Sequence, residues 1–438
     1  MRQLQNDPLT ADYRSAWGKT GEPGAAITGT MQGIETNITH PNMNISERTS
    51  MRQRLKAVQG ELIEGLDAGM GAPTTPPLER LVHILDWLRV EELVADGCGV
   101  GRPPRERFAL ANAFIAKVVL RLPTTVALID RLKVDRTLRR ICGFAWFKRL
   151  PDEATFSRAF AQFAQERLAE RAHEALIKEQ LSEQLIGHLS RDGTDIEVRE
   201  RPVKVAEFTQ PVAGLLVPEQ STVPMPPDHQ QPGAPDTTPS VKHRRGRPRR
   251  GEVRAPKEPS RIQRQRQQGV QQMLDEIPKD CDRGAKCNAQ GYKNSWNGYK
   301  LHIDTADCGV PISAVLTSAS VHDSQVAVPL SRLSAQRVTS LYDVMDAAYC
   351  SAELREDSCE LGHVPLIDHN PRGGVKLEFA RHEAERYKER TVAERMNARL
   401  KDEFGGNNVW VRGPVKVMSH LMFGVLVLSA DQFMRILQ

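Results

Sequence analysis

Aromatic side chains are scarce in this chain, at 5% of its 438 residues. The cysteines lack any framework: seven are scattered at positions 98, 142, 281, 287, 308, 350 and 359, with no CxxC pair and no zinc-ligand spacing. An odd, dispersed set excludes a small disulfide scaffold and fits a reducing compartment. Cys281 and Cys287 precede His302, but unpaired thiols in or beside a linker explain them more simply than a metal site does. The polar N-terminus predicts no secretory leader. Long apolar runs are missing too. The most apolar stretch, near residues 421–430, is too short to span a bilayer, so it reads as a buried helix closing the core. Neither charge dominates, with 60 Lys and Arg against 55 Asp and Glu, a formal net charge of +5. That balance only permits a polyanionic partner; the distribution of the cations says more.

Residues 1–50 carry Gly, Thr, Asn and Pro with little periodicity and read as a disordered segment. Residues 51–183 read as helices. Leu81, Ile84, Leu85 and Leu88 follow i, i+3, i+4, i+7 spacing. Segments 105–121, 124–132 and 137–143 follow, and Pro151-Asp152-Glu153 opens a helix striped by Phe156, Phe160 and Phe163. Arg131, Lys133, Arg136, Arg139, Arg140, Lys148 and Arg149 make this block locally basic, which suits phosphate contact as well as a solvated surface. Residues 184–201 contain a short strand, 185–190, running into Arg191-Asp192-Gly193-Thr194.

Residues 202–289 are rich in Pro, Gln, Ser and Thr and read as a basic linker. Within it, the Arg-Gly-Arg-Pro core around Arg245 and Arg247 resembles an AT-hook, whose arginines enter the minor groove of A·T-rich DNA. Arg261, Arg264 and Arg266 look like the start of a charged helix. From 290 to 438, strand and helix signals alternate. Strands are expected at 299–304, 311–317, 338–346 and 363–368, and helices at 322–335 and 352–361. Asp346 falls at the carboxyl end of its strand. Asp343, three residues earlier, points to the other sheet face.

The chain is organised around residues 387–401, YKERTVAERMNARLK, which no Gly or Pro interrupts. At roughly 100° per residue, Tyr387, Arg390, Glu394 and Lys401 share one side, and Val392, Met396 and Leu400 the other. An ordinary amphipathic helix would show the same stripe. The spacing of the four polar residues, however, resembles the YREK signature of bacterial insertion-sequence DDE transposases. The resemblance continues through GYKLHIDTADCGVPISAVLTSASVHDSQ (298–325), LYDVMDAAY (341–349), GHVPLID (362–368) and RLKDEFG (399–405), and takes in most of the chain from about residue 79 apart from the linker. One departure is visible: Cys350 stands where the family often has an acid.

The resemblance implies an α/β fold. Its parts are an RNase H-like mixed sheet flanked by helices, an all-helical N-terminal domain before it, and a long disordered insert after the first strand. It implies Asp192, Asp346 and Glu394 as catalytic and metal-binding acids, although Asp195 and Glu197 lie close to Asp192 and Asp195 is its main competitor. The metal would be two Mg2+ or Mn2+ ions, hard cations that take oxygen ligands and can activate both the attacking and the leaving oxygen of a phosphodiester. Tyr387, Arg390 and Lys401 would engage the transposon end, by stacking, bidentate phosphate contact and point charge. Asp323 most simply charges a helix N-terminus, and His322 is a weaker ligand candidate. The partners implied are double-stranded DNA, as transposon ends and as target, and a second copy of the chain on that DNA. No membrane is implied, and the setting is a bacterial cytoplasm with its nucleoid. The rival readings are an RNase H-like nuclease without strand transfer and an inactive DNA-binding derivative. The gap between Asp346 and Glu394 is short, so no inserted β-subdomain is expected there.

Overall fold

The computed structural model describes residues 75–94, 107–145, 148–203, 258–287, 290–371 and 374–437. The expected disorder of residues 1–50, most of the linker, and the AT-hook-like Arg245 and Arg247 lie outside the described residues.

Among the described residues, six α-helices come first. α1 (Pro76–Leu88) begins with proline in its first turn, where the missing N–H costs nothing, and buries Leu78, Leu81, Ile84, Leu85 and Leu88. α2 (Arg107–Val119) is buried on nearly all sides. α3 (Thr125–Val134), α4 (Arg136–Ile141) and α5 (Glu153–Gln165) are each opened by a side-chain cap, from Thr124, Asp135 and Asp152. The Phe156, Phe160 and Phe163 stripe of α5 meets Phe114 of α2. α6 (Leu168–Leu181) leads into the sheet.

The sheet has six strands: β1 (Leu185–Glu197), β2 (Asp282–Cys287), β3 (Lys293–Ala306), β4 (Pro311–Ser318), β5 (Thr339–Met345) and β6 (Val364–Ile367). β1 is central, antiparallel to β3 on one side and parallel to β5 on the other. β6 extends the sheet parallel to β5, while β3 also pairs antiparallel with β4 and, through its first half, with β2. This is the RNase H-like mixed sheet that the resemblance implied. The segment placed in the linker supplies elements of its own: α7 (Arg261–Arg266), α8 (Val270–Glu276) and β2. The expected helix over 322–335 is broken into a 3-10 turn at Asp323–Gln325 and α9 (Ala327–Ala335). Between Asp346 and Glu394 the chain forms α10 (Ala352–Glu360), β6 and α11 (Arg381–Tyr387), with no added β-subdomain among the described residues.

α7 to α10 lie toward one face of the sheet. On the other face, α12 (Thr391–Glu403) places Val392, Met396 and Leu400 in the same core as Leu301 and Ile303 of β3. α13 (Pro414–Ile436) is the one described helix long and apolar enough to cross a membrane, but it is buried inside the protein. It packs on α1, α2, α5, α6 and β4, and its Phe423 meets Phe114 and Phe160. A helix that is apolar all round needs cover all round, and here the N-terminal helices supply it. Asp431 of α13, 4% exposed, is held by Arg80 of α1 and Arg399 of α12 at 2.7 and 2.6 Å. That buried carboxylate fixes α12 in place.

Candidate active site

Register brings the first two acids together. Arg191 pairs with Met345 at the end of the parallel β1–β5 ladder; Asp192 is the next residue of β1, and Asp346 directly follows β5. Strand alternation sends Arg191 to one sheet face and both aspartates to the other. Arg191 meets Asp304 of β3 on its own face. Asp343 likewise lies away from Asp346, hydrogen-bonded to His363 at 3.1 Å. Asp346 caps the short 3-10 turn Ala347–Tyr349, one carboxyl oxygen accepting from the Ala348 N–H at 2.9 Å.

The 387–401 stretch is not one continuous helix. Tyr387 ends α11, Arg390 lies in a 3-10 turn at Lys388–Arg390, and Glu394 is in the first turn of α12. Arg390 is bonded to Glu394 at 2.5 Å. Burial opposes the charge on Arg390, but Tyr387, Glu394, Asp192 and Asp346 together hold the guanidinium above the usual arginine range. Arg390 is therefore the cation shared by all three acids. Burial also raises the Tyr387 hydroxyl to about 12, and its ring lies 4.8 Å from that of Phe379.

Burial pushes the Asp192 carboxyl up to about 6, with the Asp346 charge adding to the rise while Arg390 and Lys286 oppose it. Asp346 is raised as well, by burial first and then by Asp323. Two carboxylates crowded in a low-dielectric setting stay raised despite Arg390 and Lys286, and a divalent cation relieves that condition. The all-oxygen donor set suits Mg2+ or Mn2+. Near them, the Oδ1 atom of Asn397 and the hydroxyl of Tyr349 are buried without a protein partner. The aspartates thus fit a divalent cation. Among the described residues, however, no three His, Cys, Asp or Glu side chains converge closely enough to hold a metal ion, and Glu394 is turned to Arg390.

Lys401 lies farther along α12, and its Nζ is 2.9 Å from Asp195. Burial would raise Asp195, but Lys401 holds it below the usual carboxylate range. Asp195 and Asp192 are therefore differently engaged. His322 caps the turn that follows it, and Asp323 is bonded to Lys300 of β3 at 2.9 Å. Of the basic residues in the N-terminal helices, Arg131 and Lys133 are paired with Asp135 and Asp130.

Reasoning from sequence missed two neighbours. Asn397 donates to Asp192 at 2.9 Å. Its spacing from Glu394 and Lys401, three residues after one and four before the other, was the available signal. Lys286 of β2 is near enough to act on both aspartates, but it fell inside the linker, where nothing marked it.

Two family models match the chain: a Transposase DDE domain over residues 253–429 and a Transposase domain (DUF772) over residues 69–162. No curated protein and no solved structure matches it. The first stretch contains Asp346 and Glu394; the second covers α1 to most of α5; Asp192 lies between them and is joined to the site by the sheet register and by the hydrogen bond from Asn397. With both transposase models in sequence order and an RNase H-like sheet carrying the acids, the chain belongs to the insertion-sequence DDE transposases.

Proposed function

We propose that the chain binds the terminal inverted repeats of its element, cleaves there by water attack, and joins the freed 3′-hydroxyl to target DNA. The observation that carries this reading is the side-by-side placement of Asp192 and Asp346, with Arg390 acting on both and bonded to Glu394. Both chemical steps are in-line displacements at phosphorus and need no protein nucleophile. Asp192, Asp346 and Glu394 would hold two divalent ions, which supply charge relief on the phosphate and activation of the attacking oxygen.

The chain's own residues set the stage. Asn397 fixes the orientation of Asp192, and the Ala348 N–H fixes that of Asp346. A phosphate entering beside Arg390 competes with Glu394 for the guanidinium and releases that carboxylate toward the aspartates. Tyr387 would stack on a displaced terminal base. Arg245, Arg247 and Lys401 would add contacts to the duplex. Two ends must be handled together, so the working form is a homodimer on DNA.

The test is incubation of the full chain with a duplex carrying one end of its element, a supercoiled plasmid and magnesium. Nicked ends and end-to-plasmid joints are expected. Nicking without joints would reduce the activity to that of a nuclease; no nicking at all would remove the cleavage reading.

A further inference from the structure

β2 and the first half of β3 form a two-stranded ribbon that stands out of the sheet. All side chains of β2 after Arg283 except Gly284 are exposed, and in β3 residues 293–295 and 297 are exposed as well. A hairpin with neither face covered is marginal by itself. Here its base is braced. Gly284 lies opposite Trp296, and a Cβ at 284 would sit 2.5 Å from the indole, so only glycine lets that ring cross the ribbon. The Trp296 N–H donates to the Tyr299 carbonyl at 3.0 Å. At the root, Asp282 accepts from the Ser320 N–H, and Gly298, at φ +152°, takes a backbone shape that a side chain would block against the Ile196 carbonyl.

The chemistry of this arm is one-sided. From 283 to 297 the sequence contains Arg283, Lys286 and Lys293 and no Asp or Glu. Among the described residues no carboxylate pairs with Lys286 or Lys293, in contrast to Lys300, Lys388 and Lys401. Lys286 is close enough to Asp192 and Asp346 to act on both. The root of the ribbon lies at Asp282 and Gly298, level with Glu197, so Lys286, farther out along it, brings a cation back toward the carboxylates.

We infer that the β2–β3 ribbon is a DNA-binding arm, contacting phosphates of the duplex that enters the cleavage site through Arg283, Lys286 and Lys293. The inference rests on the cleavage reading above and adds to it the path of the substrate. A braced ribbon has the width a duplex groove admits, and cations held in no ion pair are what a phosphate backbone attracts.

The experiment uses the full chain and a fluorescein-labelled duplex of random sequence. For the variant Arg283→Gln/Lys286→Gln/Lys293→Gln, the plot of log affinity against log salt should be less steep by about 2 to 3 than for the wild type. The Lys286→Arg/Lys293→Arg variant should keep the wild-type slope. A second measurement needs no variant: Cys287, exposed on the ribbon, should react more slowly with iodoacetamide when the duplex is bound, while exposed Cys359 on α10 should not change. Binding by the wild type with an unaltered slope in the glutamine variant, or with Cys287 unprotected, overturns the arm and leaves the cleavage reading intact. A wild type that neither binds nor cuts DNA overturns both.

Discussion

Asp192 stands beside Asp346 because each is the residue after the last paired position, Arg191 against Met345, of two neighbouring parallel strands. Adjacent strands run about 4.8 Å apart, so the two carboxyls are held close by backbone hydrogen bonds rather than by any attraction of their own. Their charges repel, and burial strips the water that would screen them. The sheet thus stores an electrostatic cost at this point, and the cost is measurable.

The sign follows from linkage. The Asp192 carboxyl is raised from 3.8 to about 6 in the folded protein. The folded state therefore holds that proton more tightly than the unfolded chain. The group favours folding below its unfolded pKa, and the contribution is lost as pH rises through about 6. In chelator at neutral pH, Asp192→Asn should be more stable than the wild type by roughly 1–3 kcal/mol, and the difference should vanish in acid. Magnesium should raise the melting temperature of the wild type and leave the variant unmoved. Thermal scans across pH with and without magnesium check both parts, and an asparagine variant no more stable at neutral pH would show that the carboxylate is not strained.

Asp195 offers a contrast within the same strand. Its partner is Lys401 at 2.9 Å, a residue that would otherwise face a phosphate. Asp195→Asn should release that lysine, keep strand cutting, and steepen the salt dependence of duplex binding by about 1. Loss of cutting with binding intact would instead make Asp195 the first catalytic acid.

Asn397 tests the positioning of Asp192. Removing its amide in Asn397→Ala frees the carboxylate to rotate, and a reacting group misplaced by about 1 Å can cost 10²-fold. Cleavage should slow by roughly that factor while duplex affinity stays the same. Single-turnover cutting beside equilibrium binding separates the two, and an equal fall in both would assign Asn397 to DNA contact.

Much of this was legible in the sequence because the signals were local. The Leu81, Ile84, Leu85 and Leu88 spacing, the Pro151-Asp152-Glu153 start and the Val392, Met396 and Leu400 stripe each report on one helix, and each element formed where its pattern lay. The break between Tyr387 and Thr391 was hidden, since no Gly or Pro marks a 3-10 turn that tertiary contacts impose. The ribbon was hidden for another reason. Its strands alternate no apolar residues because neither face is covered, so the period-2 signal that identifies a half-buried strand does not exist there. The pairing of Arg191 with Asp304 depends on two strands separated by the whole linker, and no local pattern reports it.

That pair supports the site from behind. Arg191 is 2% exposed and Asp304 0%, with two parallel bonds of 2.7 and 2.8 Å, and Ser334 donates a third hydrogen bond to the carboxylate. Burial works against the arginine's charge, but Asp304 holds it well above its ordinary range. Breaking such a pair leaves one charge buried and unmatched, so Asp304→Ala should cost about 3–5 kcal/mol. Replacing both partners by apolar residues of similar size, Arg191→Met with Asp304→Leu, removes the charge along with its desolvation penalty and should cost far less than the sum of the single changes. Denaturant midpoints of the four proteins give the coupling. Because the pair faces away from Asp192, the double variant should still bind duplex DNA with the wild-type salt slope. A double variant as unstable as the sum of the singles would mean that the pair is valued for its hydrogen bonds to Ser334 and Met345 rather than for charge matching.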